Sequence, residues 1–235
     1  MRRLSPAEDV EAFKRRAADA AIGFVKEGMV VGLGTGSTVR YFLEKLADLA
    51  HAGFQVRGVP TSHATGRLAK RLGITLTSLE EHPHLDLAVD GADEVGPRLA
   101  LVKGGGGALF REKIVAAAAK RFVVVADESK VVRHLGERAP VPAEVSPFGW
   151  PVAKPGLEAL GCVVVLRRKG STVVRTDNGN YLLDCRFPQI RDPAGLERDM
   201  KAVPGVIESG LFVEMADLAL IGGARGVWRL TRAGS

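Results

Sequence analysis

Short apolar runs that alternate with helical patterns, each run ending in glycines or charged residues, constrain the fold of this chain more than any other feature. Met29-Val30-Val31 leads into Gly32-Leu33-Gly34-Thr35-Gly36-Ser37-Thr38, and Leu85 to Val89 leads into Asp90-Gly91-Ala92-Asp93-Glu94. Leu99 to Val102 leads into Lys103-Gly104-Gly105-Gly106-Gly107, and Phe122 to Ala126 into Asp127-Glu128-Ser129-Lys130. Helical spacing of apolar residues follows or precedes each run: over residues 5–26, 37–51, 64–72 and 108–119. This β/α alternation predicts a doubly wound, mostly parallel sheet, continued by a brief strand near Thr75 to Leu79. Ligands of such sheets bind beyond the carboxyl ends of the strands, where all four polar turns fall.

The helix starts are readable from cap chemistry. Ser5-Pro6 reads as an N-cap followed by proline at the first helical position. Lys14 in that first helix lies beside the apolar stripe and on the bare sequence reads as solvated surface. The composition changes after residue 137, where Pro140, Pro142, Pro147, Pro151 and Pro155 crowd together and mark a domain junction or a stiff covering segment. Strands are expected at Val163 to Arg167, Thr172 to Arg175 and Tyr181 to Asp184, the last two joined through the turn Asp177-Asn178-Gly179. A helix from Asp192-Pro193 to Ala202 and a strand at Val206 to Ser209 complete a small α+β unit. Leu218 to Gly223 reads as one more strand of the first sheet. The expected organisation is therefore an α/β domain over 1–136 plus 209–235, with a small α+β domain inserted at 137–208.

Composition narrows the function class. With 235 residues, 46% hydrophobic and 26% charged, the chain has enough apolar material for a sizeable core. The longest apolar runs are strand-length and the N-terminus lacks an apolar signal core, so neither membrane span nor export is indicated. The formal net charge of +6 is scattered singly and in pairs, with two Trp and two Tyr to stack bases, so attraction of a small anionic substrate accounts for it without nucleic acid. Cys162 and Cys185 sit in apolar contexts without a metal-type partner and read as buried, reduced thiols of a cytoplasmic protein. The pair His82-Pro83-His84 lacks a third ligand and reads as an exposed loop.

Glycine-rich strand-to-helix turns leave backbone N–H groups bare at a helix N-terminus, where an anion is favoured, and phosphate is its commonest occupant. Thr35 to Thr38 form one such turn. The spacing G-x-G-x-G, a following strand that ends in Pro60-Thr61-Ser62, and Gly36 where a P-loop lysine would stand weaken both dinucleotide and P-loop readings. Asp90, Asp93 and Glu94 form either an acidic turn or a set of acceptors for sugar hydroxyls. The D-x-D-x-D-G spacing of a calcium loop is missing. Lys103 and the four glycines put a fixed cation and a bare backbone before Glu112, a first-turn carboxylate that either stabilises its helix or acts chemically.

Taken in order, Gly34-Thr35-Gly36-Ser37-Thr38, Asp90-Gly91-Ala92-Asp93-Glu94, Lys103 to Gly107, Arg111-Glu112-Lys113 and Ser129-Lys130 closely resemble the type A ribose-5-phosphate isomerases. The resemblance extends to Thr176-Asp177-Asn178-Gly179-Asn180 and Ala219-Leu220-Ile221-Gly222. It implies a Rossmann-like α/β domain with an inserted, ferredoxin-like α+β lid. It further implies interconversion of ribose 5-phosphate and ribulose 5-phosphate through a cis-enediol, in the non-oxidative pentose phosphate pathway. By the same resemblance, Thr35, Gly36, Ser37, Thr38, Lys14 and Lys130 surround the substrate, chiefly its phosphate. Asp90, Asp93 and Lys103, with Gly91 and Ala92, meet the sugar hydroxyls and assist ring opening, and Glu112 is the general base. Lys103, with N–H groups of Gly104, Gly105, Gly106 and Gly107 where they point inward, is the candidate for holding the enediolate oxygen. No metal or organic cofactor is implied, and a homodimer or homotetramer is. Aminosugar-phosphate deaminases, coenzyme A transferases and a phosphosugar-sensing regulatory domain are the competing readings; the lysine, the glycine run and Arg111-Glu112-Lys113 argue against the two enzymes. His63 has no counterpart that the family requires and reads as surface.

Overall fold

The structure, a computed structural model, describes residues 6–232; Ser5, expected to cap the first helix, lies outside them. The chain begins with α1 (Pro6–Ile22), β1 (Val30–Leu33), α2 (Ser37–His51), β2 (Arg57–Pro60), α3 (His63–Arg71) and β3 (Leu87–Asp90). Two short strands, β4 (Glu94–Val95) and β5 (Leu101–Val102), precede α4 (Leu109–Ala118) and β6 (Phe122–Asp127). Next come β7 (Val141–Val145), α5 (Trp150–Glu158), β8 (Val163–Leu166), β9 (Arg168–Lys169), β10 (Thr172–Val173) and β11 (Tyr181–Arg186). The chain closes with α6 (Pro193–Ala202), β12 (Val206–Ser209), β13 (Leu211–Phe212), β14 (Leu218–Gly223) and β15 (Gly226–Leu230).

The central sheet has the order β15-β14-β6-β3-β1-β2, parallel throughout except for the antiparallel edge strand β15. Its middle strands β3, β6 and β14 are buried at every position, which is why they read as unbroken apolar runs rather than as alternation. One face packs on α1 and α2 through Val31, Leu33, Val123 and Leu220. The other face packs on α4 and on a three-stranded antiparallel sheet, β13-β5-β4, through Val124, Ala219 and Ile221 against Val115, Leu101 and Phe212. A four-stranded antiparallel sheet, β12-β7-β11-β8, shares a third cluster with α5 and α6 through Val141, Ala143, Leu183, Leu157 and Met200. The fold is thus α/β, with the small antiparallel sheets set beside a mostly parallel central one.

Several expectations need correction. Leu101-Val102 belongs to the three-stranded sheet and not to the central one, so the glycine run is reached from a strand that crosses the face of the parallel sheet. Thr75 to Leu79 form no strand; a single bridge joins Gly58 to Leu76. The strand expected at Thr172 to Arg175 stops at Val173 and pairs with β9, so only the bridge Arg175–Tyr181 links it to β11 across the Asp177–Gly179 turn. Within the proline-rich stretch, Pro142 is inside β7, and Pro151 and Pro155 are inside α5. The first helix ends at Ile22 rather than near Lys26.

The chain leaves β1 for β2 on one side and returns to place β3 on the other, so the crevice between the β1 and β3 ends is the topological switch point. Helix α1 is pressed over the carboxyl end of β14, where Arg16 Nη1 donates to the Gly223 carbonyl at 2.8 Å. The approach is close enough that a Cβ at Gly222 would overlap the carbonyl of Phe13 in α1. Gly222→Ala should therefore push α1 off the sheet at a cost of about 3 kcal/mol. Thermal unfolding should show a midpoint lowered by roughly 6–12 °C; an unchanged midpoint would mean that α1 is not seated as described.

Candidate active site

Strand and helix ends converge on one cavity of about 230 Å³ beyond the β1, β3 and β6 termini. The β1 end supplies Thr35, Gly36, Ser37 and Thr38, the β3 end Gly91, Ala92 and Asp93, and the β6 end Asp127, Ser129 and Lys130. The remaining walls are Lys103, Gly104, Gly106 and Glu112 from the glycine turn, and Val10 and Lys14 from α1. A larger cavity of about 510 Å³ lies between Arg98, Arg133 and Arg191, but it holds none of these acid–base groups.

At one side of the smaller cavity, α2 begins at Ser37 with Gly36 as its N-cap, and no side chain caps it. The first-turn N–H groups are therefore free to meet an anion, with the positive end of the helix dipole behind them. Thr35 is held from behind: its N–H donates to Asp90 Oδ1 at 3.0 Å, and its hydroxyl lies 2.8, 2.8 and 3.1 Å from those of Thr61, Ser62 and Thr65. Lys14, which reads as surface in the sequence alone, lines the cavity with its ammonium 2.7 Å from Glu11 Oε1. Lys130 lines it from the turn after β6.

At the other side lies a buried charge cluster. The Lys103 ammonium donates to the Gly91 carbonyl at 2.5 Å and sits 3.1 Å from Asp90 Oδ2 and 3.5 Å from Glu112 Oε2. Both carboxylates and the lysine are at least 95% buried at the side chain. Burial alone would lower the Lys103 pKa, but the Asp90 and Glu112 charges outweigh it and hold it above the ordinary value, so Lys103 is an ammonium. Asp90 is raised, first by burial, with Lys103 and two backbone N–H groups opposing. Glu112 is pushed up to about 8, by burial first and then by the Asp90 charge, with Lys103 pulling the other way. Glu112 Oε2 is buried without a hydrogen-bond partner.

The three acids of the 90–94 turn separate into three tasks. Asp90 does not line the cavity: it sits beneath it, accepting from the Thr35 and Gly91 N–H groups at 3.0 and 2.7 Å. Its Oδ1 is thus engaged by two backbone donors, and its Oδ2 faces the Lys103 ammonium at 3.1 Å. Asp93 does line the cavity and accepts from the Gly105 N–H at 2.6 Å. Glu94, fully buried, faces away and accepts from the N–H groups of Gly136, Arg138 and Ala139.

The glycine run is likewise differentiated. Gly104 and Gly107 have φ of 103° and 81°, which L side chains rarely adopt, so the turn requires glycine there. The N–H of Gly105 goes to Asp93 and that of Gly107 to the Gly104 carbonyl, which leaves those of Gly104 and Gly106 without a hydrogen-bond acceptor among the described residues. Gly105 does not line the cavity. His63 is exposed and also outside it; its N–H donates to Asp177 Oδ2 at 2.6 Å. The polar turn and the Arg111-Glu112-Lys113 motif read from the sequence also take on structural roles: the Asp127 carboxylate caps the turn to Ser129, and Arg111 and Lys113 flank Glu112. Arg111 donates to Asn178 Oδ1 at 2.7 Å, and Lys113 reaches Glu197 and Glu208 at 2.6 and 2.8 Å. Among the described residues no cluster of three or more His, Cys, Asp or Glu is placed to hold a metal ion, and no helix is long and apolar enough to cross a membrane.

Residues 57–226 match the family model of ribose 5-phosphate isomerase A (phosphoriboisomerase A). The chain is 52% identical over 226 residues to ribose-5-phosphate isomerase A of Roseiflexus sp. (strain RS-1), which covers 94% of this chain and 97% of the relative. The counterpart in Gloeobacter violaceus is 48% identical, over 95% of this chain and 97% of its own length. Among solved structures, a D-ribose-5-phosphate isomerase in complex with phospho-erythronic acid superposes with a TM-score of 0.92 at 42% identity, over 94% of this chain and 99% of that one. The ribose 5-phosphate isomerase A of Methanocaldococcus jannaschii gives 0.90 at 41% identity, with the same coverages.

The charge cluster has a direct pH signature. Because the folded-state pKa of Glu112 lies above its ordinary 4.5, the folded protein keeps a proton that the unfolded chain releases. The associated stability is fully present below 4.5 and is lost as pH rises through about 8. Side-chain carbon NMR of labelled glutamate should show Glu112 titrating well above the other glutamates. Asp90→Asn should lower its midpoint by removing the like charge, and Lys103→Met should raise it. A Glu112 midpoint in the ordinary carboxylate range would contradict the buried geometry.

Proposed function

Because the chain belongs to the ribose 5-phosphate isomerase A family, and is thus an isomerase of ribose 5-phosphate, we propose that its reaction runs through a cis-enediol with Glu112 as the proton-shuttling base. The observation that carries this reading is the position of Glu112: buried, on the cavity wall, with one carboxylate oxygen that accepts no hydrogen bond and has the Lys103 ammonium 3.5 Å away. The α2 N-terminus with Lys14 and Lys130 receives the phosphate, which sets the sugar's other end toward Lys103 and Glu112. Asp93 and Lys103 contact hydroxyls and assist opening of the furanose ring. Asp90 acts from beneath the cavity as the fixed counter-ion of Lys103.

In the open-chain aldose, Glu112 takes the proton from C2 while the C1 carbonyl oxygen gains one. The resulting enediol is planar, so the same carboxyl group reaches both carbons. It returns the proton to C1 as the C2 hydroxyl gives up its own, leaving the C2 ketone. Charge builds on oxygen along the way, and Lys103 with the Gly104 and Gly106 N–H groups supplies donors that are fixed before reaction begins. A base whose pKa lies near the working pH combines an ionised fraction with adequate proton affinity, which suits the raised value at Glu112. Phospho-erythronic acid, the phosphorylated sugar acid held by one solved relative, has a planar carboxylate of the kind an enediolate resembles. Operation in the non-oxidative pentose phosphate pathway, a cytoplasmic setting and assembly into dimers or tetramers belong to the same proposal and rest on family membership.

Purified protein incubated with ribose 5-phosphate in EDTA should form the ketose; absence of turnover would overturn the proposal, and its loss only on chelation would overturn the metal-free form of it. Glu112→Gln should lose turnover by roughly 10²–10⁴-fold. In deuterated water that variant should also fail to exchange the C2 proton while still binding phospho-erythronic acid. Retained exchange would assign the base to another residue.

A further inference from the structure

Four consecutive glycines carry no side chains with which to fix their own backbone, and ordering each residue costs about 1–2 kcal/mol. The run must be held from outside, and the hold is concentrated on a single peptide group. The Gly104 carbonyl accepts from Arg167 Nη1 at 2.9 Å, while the N–H on the other side of the same peptide, that of Gly105, donates to Asp93 Oδ2 at 2.6 Å. Arg167 Nη1 also lies 3.2 Å from the Gly105 carbonyl.

The guanidinium is itself fixed. It makes a two-pronged pair with Asp184, Nε to Oδ2 at 2.9 Å and Nη2 to Oδ1 at 2.5 Å, and both side chains are largely buried. Asp184 lies in the middle of β11, between β7 and β8, and Arg167 directly follows β8 with its N–H on the Leu182 carbonyl. A planar fork matches a carboxylate and still has a free N–H edge, which a lysine ammonium cannot reproduce. Neither residue lines the cavity.

We infer that Arg167 is a positioning residue: held by Asp184, it locks the Gly104–Gly105 peptide, and through that peptide it fixes the Asp93 carboxylate and the approach of the Gly106 N–H to the sugar. The inference rests on the isomerase mechanism above. A glycine peptide freed of Arg167 is able to flip, which turns the Gly105 N–H away from Asp93 and leaves that carboxylate to rotate. The four-stranded sheet thereby acts on the chemistry without touching substrate.

Arg167→Met and Arg167→Lys, each in the parent and in an Asp93→Asn background, test this through kcat, KM and melting temperature. Arg167→Met should lower kcat on the order of 10- to 100-fold, as small misplacements of reacting groups do. KM should move by less than about 3-fold, since the phosphate grip lies elsewhere. Arg167→Lys should recover only part of kcat although its charge still faces Asp184. In the Asp93→Asn background the same substitution should cost less than about 2-fold, because the group it positions is already altered. A parent-background kcat within about 2-fold of the unsubstituted enzyme, or an equal loss in both backgrounds, would overturn the inference and leave Arg167 a brace of the fold. Should Arg167→Met fail to fold, Arg167→Lys and Asp184→Asn carry the same comparison. Glu112→Gln measured alongside separates the two levels: retained C2 exchange there would sink the assignment of the base, whereas its loss with an indifferent Arg167 would sink only the positioning role.

Discussion

An ammonium buried among carboxylates is the interaction on which this structure turns. Removing Lys103 from water is costly by several kcal/mol unless its charge is compensated nearby, and it is 2% exposed. Compensation comes from Asp90 and Glu112 at 3.1 and 3.5 Å and from the Gly91 carbonyl, so three separate segments must meet within one small volume. Asp90 is in turn fixed by the N–H groups of Thr35 and Gly91, which ties the β1 turn to the β3 turn. The ends of β1, β3 and the glycine turn are therefore one electrostatic unit, and the crevice at the topological switch point is its outer surface.

The same cluster sets the proton affinity of Glu112. Two buried carboxylates face one buried ammonium, so acids outnumber the cation, and a third carboxylate, Asp93, is close enough to add its repulsion. Burial raises the proton affinity of both; at Asp90 two backbone donors oppose the rise, whereas Glu112 Oε2 has no hydrogen bond and only the Lys103 ammonium at 3.5 Å. Withholding hydrogen bonds from one carboxylate while its neighbour receives them favours the protonated form of the first, the setting that the proposed role of Glu112 requires. The helix dipole behind Glu112, which on the sequence alone promises an ionised first-turn carboxylate, is outweighed by burial.

How much of this was legible in the chain depends on whether a residue signals its task locally. The parallel strands announce themselves because burial on both faces leaves only apolar residues, as in Phe122 to Ala126, and the glycine run marks a bare backbone wherever it lies. Leu101-Val102 carries the same apolar signal, yet it lies in an antiparallel three-stranded sheet, because burial reveals that a strand is covered and not what it pairs with. Likewise Asp177-Asn178-Gly179 marks a turn correctly while the pairing across it shrinks to one bridge. Within the acidic turn, Asp90, Asp93 and Glu94 look alike in sequence; only the backbone donors that reach each of them separate counter-ion, cavity wall and remote brace. Arg167 gives no signal at all, being one lysine or arginine among 33, and is defined by partners 17 and more than 60 residues away.

Those distant partners show why a parallel-sheet site needs the second, antiparallel sheet. In the proposed reading the glycine turn approaches a sugar closely, which excludes side chains, and a turn without side chains cannot anchor itself. Its anchors come from one body: Arg167 holds the Gly104 and Gly105 carbonyls, the Asp177–Asn178 turn holds Arg111, and Glu197 and Glu208 hold Lys113. Glu112 stands between Arg111 and Lys113, so the proposed base is fastened on both sides along its own helix. The Asp177–Asn178 turn is secured by Glu144, whose Oε1 accepts from Thr176, Asn178 and Asn180, and its Asp177 carboxylate accepts from the His63 N–H beside the hydroxyl cluster that supports Thr35. The antiparallel sheet and its turns thus brace segments on both sides of the cavity without lining it, and the freedom that glycine brings to the turn is taken back by groups that stand outside it.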